Sequence, residues 1–171
     1  MIGKGGGAAL IQPTRQFVAR IKIDKRLSHS MPKILCVGIA TLDVVNRVDR
    51  YPDEDAEVRA LGQQRRLGGN AANTASVLAQ LGLPTAWVGH LGDGNESHWV
   101  RQKLESFGVD CRLAQVVANG QQPTSYVTLS QTTGSRTIVH YRDLPEYPAA
   151  AFLNLDLRGF DWVHFEGRAI D

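Results

Sequence analysis

The sequence predicts an α/β domain in which helices cover a parallel sheet and a second, smaller sheet lies beside it. Three observations lead there. Near-continuous apolar runs of strand length stand at Lys33 to Ile39, Thr85 to Leu91 and Phe160 to Phe165, the pattern of strands covered on both faces. After the first and second of these come stretches with helical spacing, placed to be closed by Gly82 and Gly108. Between the second and third, Thr132-Thr133-Gly134-Ser135 separates Ser125 to Gln131 from Arg136 to Tyr141 as a hairpin turn does, and a hairpin belongs to a sheet of its own.

Taken in order, Lys33 to Ile39 is the first core strand, and Asp43 follows it closely. Ligands of open α/β sheets bind outside the carboxyl ends of strands, which makes that carboxylate a site candidate as well as a possible loop or cap residue. Val44 to Val48 and Glu57 to Arg65 flank the turn Tyr51-Pro52-Asp53-Glu54-Asp55 and suit an antiparallel flap. Gly68-Gly69 then runs into Asn70 and Asn73. At about 100° per residue, Asn70, Asn73, Thr74, Val77 and Leu81 share one quadrant of a helix, which predicts both amides on the core-facing side, able to serve a polyol. An N-cap role for Asn70 and a core role for Asn73 fit the same spacing.

Thr85 to Leu91 is the next core strand. A helix from Asn95 to Phe107 follows, with Trp99, Val100, Leu104 and Phe107 on one stripe. Val109 to Val117 suits a strand, Pro145 to Leu153 is weakly helical, and Phe160 to Phe165 reads as a buried strand with Glu166 at its end. The five histidines show no metal-ligand spacing.

Composition bounds the alternatives. With 171 residues and 43% apolar content, the chain can bury one substantial core. Cys36 and Cys111 have neither metal-ligand nor thioredoxin spacing, and a reducing, cytoplasmic setting fits them. No apolar stretch approaches the ~20 residues that span a bilayer. The net charge of +2 conceals an asymmetry: residues 1–31 carry six Lys/Arg against one acid, and residues 32–171 carry thirteen against sixteen. The basic excess lies in an extension expected to be a poorly ordered leader or an upstream start before Met31, not on an organised face, which argues against a nucleic-acid partner. Lys4-Gly5-Gly6-Gly7 is no phosphate loop, because no strand precedes it and no Gly-Lys-Ser/Thr ends it.

The ordered set Lys33-Ile-Leu-Cys-Val-Gly-Ile-Ala-Thr-Leu-Asp43, Asp49-Arg-Tyr51-Pro52 with Asp55, Gly68-Gly69-Asn70, and Trp162-Val-His-Phe-Glu166-Gly-Arg168 resembles the N-terminal half of the ribokinase-like (PfkB) carbohydrate kinases, most of all their ketohexokinase branch. The resemblance spans about residues 32–171. It implies a ribokinase-like three-layer α/β/α core with a small β-sheet lid from segments 44–65 and 125–141, truncated on the C-terminal side. It implies an ATP-dependent sugar kinase acting with Mg2+ on fructose or a related ketose, and a homodimer formed through the lid. By matching position, Asp43, Asp55, Gly69, Asn70 and Asn73 would hold the sugar, with Glu166 a weaker contact that could instead pair with Arg168. Arg136 would reach the nucleotide phosphates, or stand as an exposed hairpin arginine. The Gly-x-Gly-Asp and Asn-x-x-Glu segments that give this family its base, anion hole and magnesium control do not occur in residues 1–171. The resemblance therefore puts the catalytic base, and the adenine-binding region with it, beyond Asp171, and no catalytic residue is assigned within the chain. A non-catalytic sugar-binding or dimerising form, or another ribokinase-like sugar or nucleoside kinase, is the alternative.

Overall fold

The computed structural model describes residues 31–167. Residues 1–30 of the basic extension lie outside them, as do Arg168 and Asp171, so the expectation of a catalytic base beyond Asp171 falls outside the described residues too. In chain order the elements are β1 (Ile34–Val37), β2 (Thr41–Val48), β3 (Gly62–Gly68), α1 (Asn70–Gln80), β4 (Thr85–Val88), β5 (His90–Leu91), α2 (Asn95–Ser106), β6 (Gln115–Val116), β7 (Thr124–Ser130), β8 (Arg136–Tyr141), α3 (Ala149–Leu153) and β9 (Trp162–Phe165).

The core sheet has the order β4-β1-β9 and is parallel throughout, with Ile34 registered on both Thr85 and Trp162. Strand pleating divides its side chains between two helical layers. Ile34 and Cys36 join Trp87, Ala71, Ala72 and Ala75 of α1, and Val100 and Leu104 of α2, on one face. Leu35, Val37, Ala86 and Val88 face the other way, under Phe152 of α3, Leu155 and Phe160. The three layers expected from the sequence are therefore present. Gly82 (φ +90) and Gly108 (φ +89) follow α1 and α2 in a backbone conformation that favours glycine, as their placement predicts.

The second sheet has the order β3-β2-β7-β8, with β2 and β7 parallel and both outer pairs antiparallel. It forms the lid; β2 begins earlier than the sequence suggests, and β3 both begins and ends later. Pairing starts at Thr41↔Gly68, so Asp43 lies inside a lid strand and not in a loop after the first core strand, while residues 57–61 precede β3. The hairpin matches expectation, running Thr124↔Tyr141 to Leu129↔Arg136.

Three further expectations are corrected. Thr85 to Leu91 is not one strand. It breaks at Gly89, where a side chain would overlap the Gly38 carbonyl and the Trp87 ring, and β5 pairs instead with β6. Of Val109 to Val117, only a bridge from Asp110 to Ala86 and the short β6 are extended. The Phe160 to Phe165 segment becomes β9 at the sheet's edge, with Trp162 67% and Phe165 53% exposed, because it has a strand partner on one side only among the described residues.

Candidate functional site

The chain's departure from β1 shapes the candidate site. Gly38 and Gly69 both hold positive φ, at 145° and 91°. A Cβ on Gly69 would overlap the Ile39 carbonyl oxygen, so only glycine lets the start of α1 press against the end of β1. As N-cap, Gly69 offers no side chain to the free amides of the first turn. Glu166 fills that role from β9's end: its carboxylate accepts from the Ile39 N–H at 2.9 Å and the Ala71 N–H at 3.2 Å. The structure thereby gives Glu166 a structural function, joining β9, β1 and α1. The expected alternative partner, Arg168, lies outside the described residues.

Asp43 stands in β2 beside this junction. It is half-buried, and its carboxylate accepts from Thr41 Oγ1 at 3.0 Å. Both carboxylate oxygens lie where a Cβ on Gly68 would be, so the glycine preceding the N-cap makes room for Asp43. Gly68, Gly69, Asn70, Asp43 and Glu166 thus gather at the start of α1. Asn70 and Asn73 do not point inward as the helical projection predicted. Both are exposed, with Val77 56% exposed on the same side, whereas the buried face consists of Ala71, Ala72, Ala75 and Ser76. Small alanines allow the close helix–sheet approach, and the longer polar side chains turn outward.

Asp55 and Arg136 are not drawn into that junction. Asp55 lies in the exposed turn between β2 and β3 at φ 61°, and its carboxylate has no partner among the described residues. Arg136 opens β8 and is registered through Leu129 on Arg47, four residues along β2 from Asp43. That is roughly 13 Å along the strands and about 10 Å across them. Because registered residues share a face, Arg136 and Asp43 nevertheless lie on the same side of the lid.

Sequence reasoning missed two polar features of that face. Ser125, registered on Asp43, exchanges a hydrogen bond with His140 Nδ1 at 3.1 Å. Arg66, registered on Asp43 from the other side, donates to Gln64 Oε1 through Nε at 3.2 Å and Nη2 at 2.8 Å. Their alternation along β-rich segments was a usable signal, but the pairing depends on register. A cleft of about 520 Å³ occupies the reverse face of the lid, against the α2 N-terminus, with Val44, Arg65, Asp93, Gln122 and Tyr126 among its walls; none of the predicted site residues lines it.

Known proteins place this arrangement. Residues 31–168 match the model of the pfkB family carbohydrate kinases. The chain is 39% identical to mouse (Mus musculus) ketohexokinase over 137 residues, 80% of this chain and 46% of that protein. It superposes on the crystal structure of ribokinase from Cryptococcus neoformans var. grubii serotype A in complex with ADP with a TM-score of 0.61 at 21% identity, covering 80% of this chain and 41% of the other. Against Arabidopsis thaliana ribokinase complexed with ribose and ATP the TM-score is 0.57 at 28% identity, over 66% and 36% of the two chains. The chain thus spans less than half the length of each of these relatives. The family match, the ribokinase-like fold and the glycine-lined junction around Asp43 together make this chain a member of the pfkB family of carbohydrate kinases.

Proposed function

We propose that this chain carries the acceptor-binding half of an ATP-dependent sugar kinase of the ketohexokinase type, with fructose or a related ketose as acceptor. The observation that carries the reading is the seating of Asp43. Its carboxylate is held by the Thr41 hydroxyl over Gly68, beside a helix start that presents the Asn70 and Asn73 amides outward. A carboxylate with lone pairs to spare takes hydroxyl donors in short, charge-assisted bonds, and primary amides both donate and accept, so together they complement vicinal hydroxyls. In this reading Gly69 keeps the backbone close to the sugar, Glu166 acts by fixing the start of α1, and Asp55, in the exposed turn outside the junction, reaches the sugar only when the flap folds over it.

Arg136 is read as the lid's contribution to nucleotide-phosphate binding. It is exposed and has no partner among the described residues, so its guanidinium is available to an anion. It fits ATP in part only, and among the described residues no group of three or more His, Cys, Asp or Glu side chains is disposed to hold a metal. No Mg2+ ligand and no phosphoryl-transfer step are assigned, and the base is read as belonging to sequence that would follow Asp171 in a full-length relative. ATP, when bound in such a relative, supplies the transferred phosphoryl group; the residues present here bind and orient the acceptor. We further propose that the lid self-associates. Every residue of β8 is exposed, Ile138, Val139 and Tyr141 among them, and its outer edge is unpaired among the described residues.

The test is calorimetric titration of fructose into the chain and into Asp43→Ala, alongside an assay for ATP-dependent phosphorylation. The reading predicts binding that the substitution abolishes, and no turnover by residues 1–171. Equal binding by both proteins would overturn the acceptor site, and turnover abolished by Asp43→Ala would overturn the non-catalytic assignment. Binding without turnover is also what the second reading, a sugar-binding form, requires. Sequence after Asp171 that supplies Gly-x-Gly-Asp favours the first reading, and a stop there favours the second.

A further inference from the structure

We infer that Ser125 and His140 form a second arm of the acceptor site and determine which sugars it accepts. The inference rests on the reading that Asp43 faces the acceptor. Pairing places Arg66, Asp43, Ser125 and His140 in one row across β3, β2, β7 and β8, and registered residues project from the same face. The 3.1 Å contact between Ser125 Oγ and His140 Nδ1 fits the shared side, as does the placement of both Asp43 and Thr41 against Gly68.

Ser125 is 9% exposed and His140 is exposed, so the buried hydroxyl orients an accessible ring. With Nδ1 engaged, Nε2 is the free nitrogen. It accepts a sugar hydroxyl proton if Nδ1 donates to Ser125, and donates to a sugar oxygen if Ser125 is the donor. Strands are about 4.8 Å apart, which sets the Asp43 and His140 backbones at roughly 10 Å. Asp43 leans away from His140, over Gly68 toward β3, while the His140 ring stands beside Ser125, so their polar ends lie roughly 10 Å apart, a span that one hexose ring and two hydrogen bonds fill. Asp43 takes hydroxyls at one side of the sugar, and His140 reads a single oxygen on the other. A site of this kind rejects an analogue lacking that oxygen, because the imidazole is left without its partner.

The experiment titrates the 171-residue chain with fructose and with each monodeoxyfructose, in wild type, His140→Leu, His140→Gln, Ser125→Ala and Asp43→Asn. His140→Leu is expected to raise the fructose Kd about five- to tenfold, with partial rescue by Gln. One deoxyfructose should bind wild type and His140→Leu equally weakly. A His140→Leu Kd for fructose within twofold of wild type, while Asp43→Asn abolishes binding, would overturn the inference and leave the acceptor site standing. An equal loss toward fructose and every deoxyfructose would mark a folding effect and also overturn it. No fructose binding by wild type, or none lost in Asp43→Asn, would remove both readings.

Discussion

Replacing Glu166 with alanine should cost the fold about 3 kcal/mol. Its carboxylate accepts from the Ile39 and Ala71 N–H groups, and each is a charge-assisted bond at a part-buried site. Such bonds contribute roughly 1.5–3 kcal/mol each, and the lower end applies where water can reach the freed amides. The favourable placement of a negative charge at the α1 N-terminus adds a few tenths more. Glu166→Gln keeps one acceptor oxygen and should lose about half as much. A domain of this size has only about 5–15 kcal/mol of stability, so the shift is large enough to read in urea denaturation by linear extrapolation. Glu57→Ala, on the exposed flap, is the control and should change stability by less than about 0.5 kcal/mol. If Glu166→Ala matches that control, the carboxylate does not join β9, β1 and α1, and the account of the α1 start is wrong.

Gly69→Ala should destabilise by about 2 kcal/mol or more, since it adds a left-handed penalty at φ 91° to overlap with the Ile39 carbonyl; an unchanged urea midpoint would contradict the close approach drawn here. Burial pushes the Cys36 thiol up to about 11 and, with Glu105 adding to the effect, the Cys111 thiol up to about 12, so neither should react with iodoacetamide in the native protein at pH 8. The unfolded thiols ionise near pH 9 while the folded ones stay neutral, so stability should fall as pH rises above 9, by up to about 1.4 kcal/mol per pH unit for each thiol until its folded value is reached. Urea midpoints measured between pH 8 and 10.5 check the sign. Val139→Lys, on the exposed β8, should shift the chain toward monomer in light scattering and leave the urea midpoint unchanged where both proteins are diluted to monomer, and an unchanged monomer at high concentration in both proteins would refute lid association.

The core was legible because its chemistry is local. Ile34 to Val37 and Thr85 to Val88 are apolar on both faces, and Gly82 and Gly108 mark helix ends at positions that need positive φ. What escaped depends on partners distant in sequence. Glu166 meets groups 127 and 95 residues away, whereas sequence proximity pointed to Arg168. The orientation of α1 was misread for a different reason. Alanine carries little weight in a hydrophobic stripe, yet Ala71, Ala72 and Ala75 form the fully buried contact, and Val77, counted as core, is exposed. Likewise, the pairing of Ser125 with His140 follows from strand register, which no composition reveals.

The most direct measurement is amide chemical-shift mapping of the isotopically labelled chain during fructose titration. The account predicts that Asp43, Gly69, Asn70 and Asn73 shift together along one saturating curve, and that Asp43→Asn abolishes the response at all of them. Shifts confined to the cleft on the reverse face of the lid, around Val44, Gln122 and Tyr126, would contradict it.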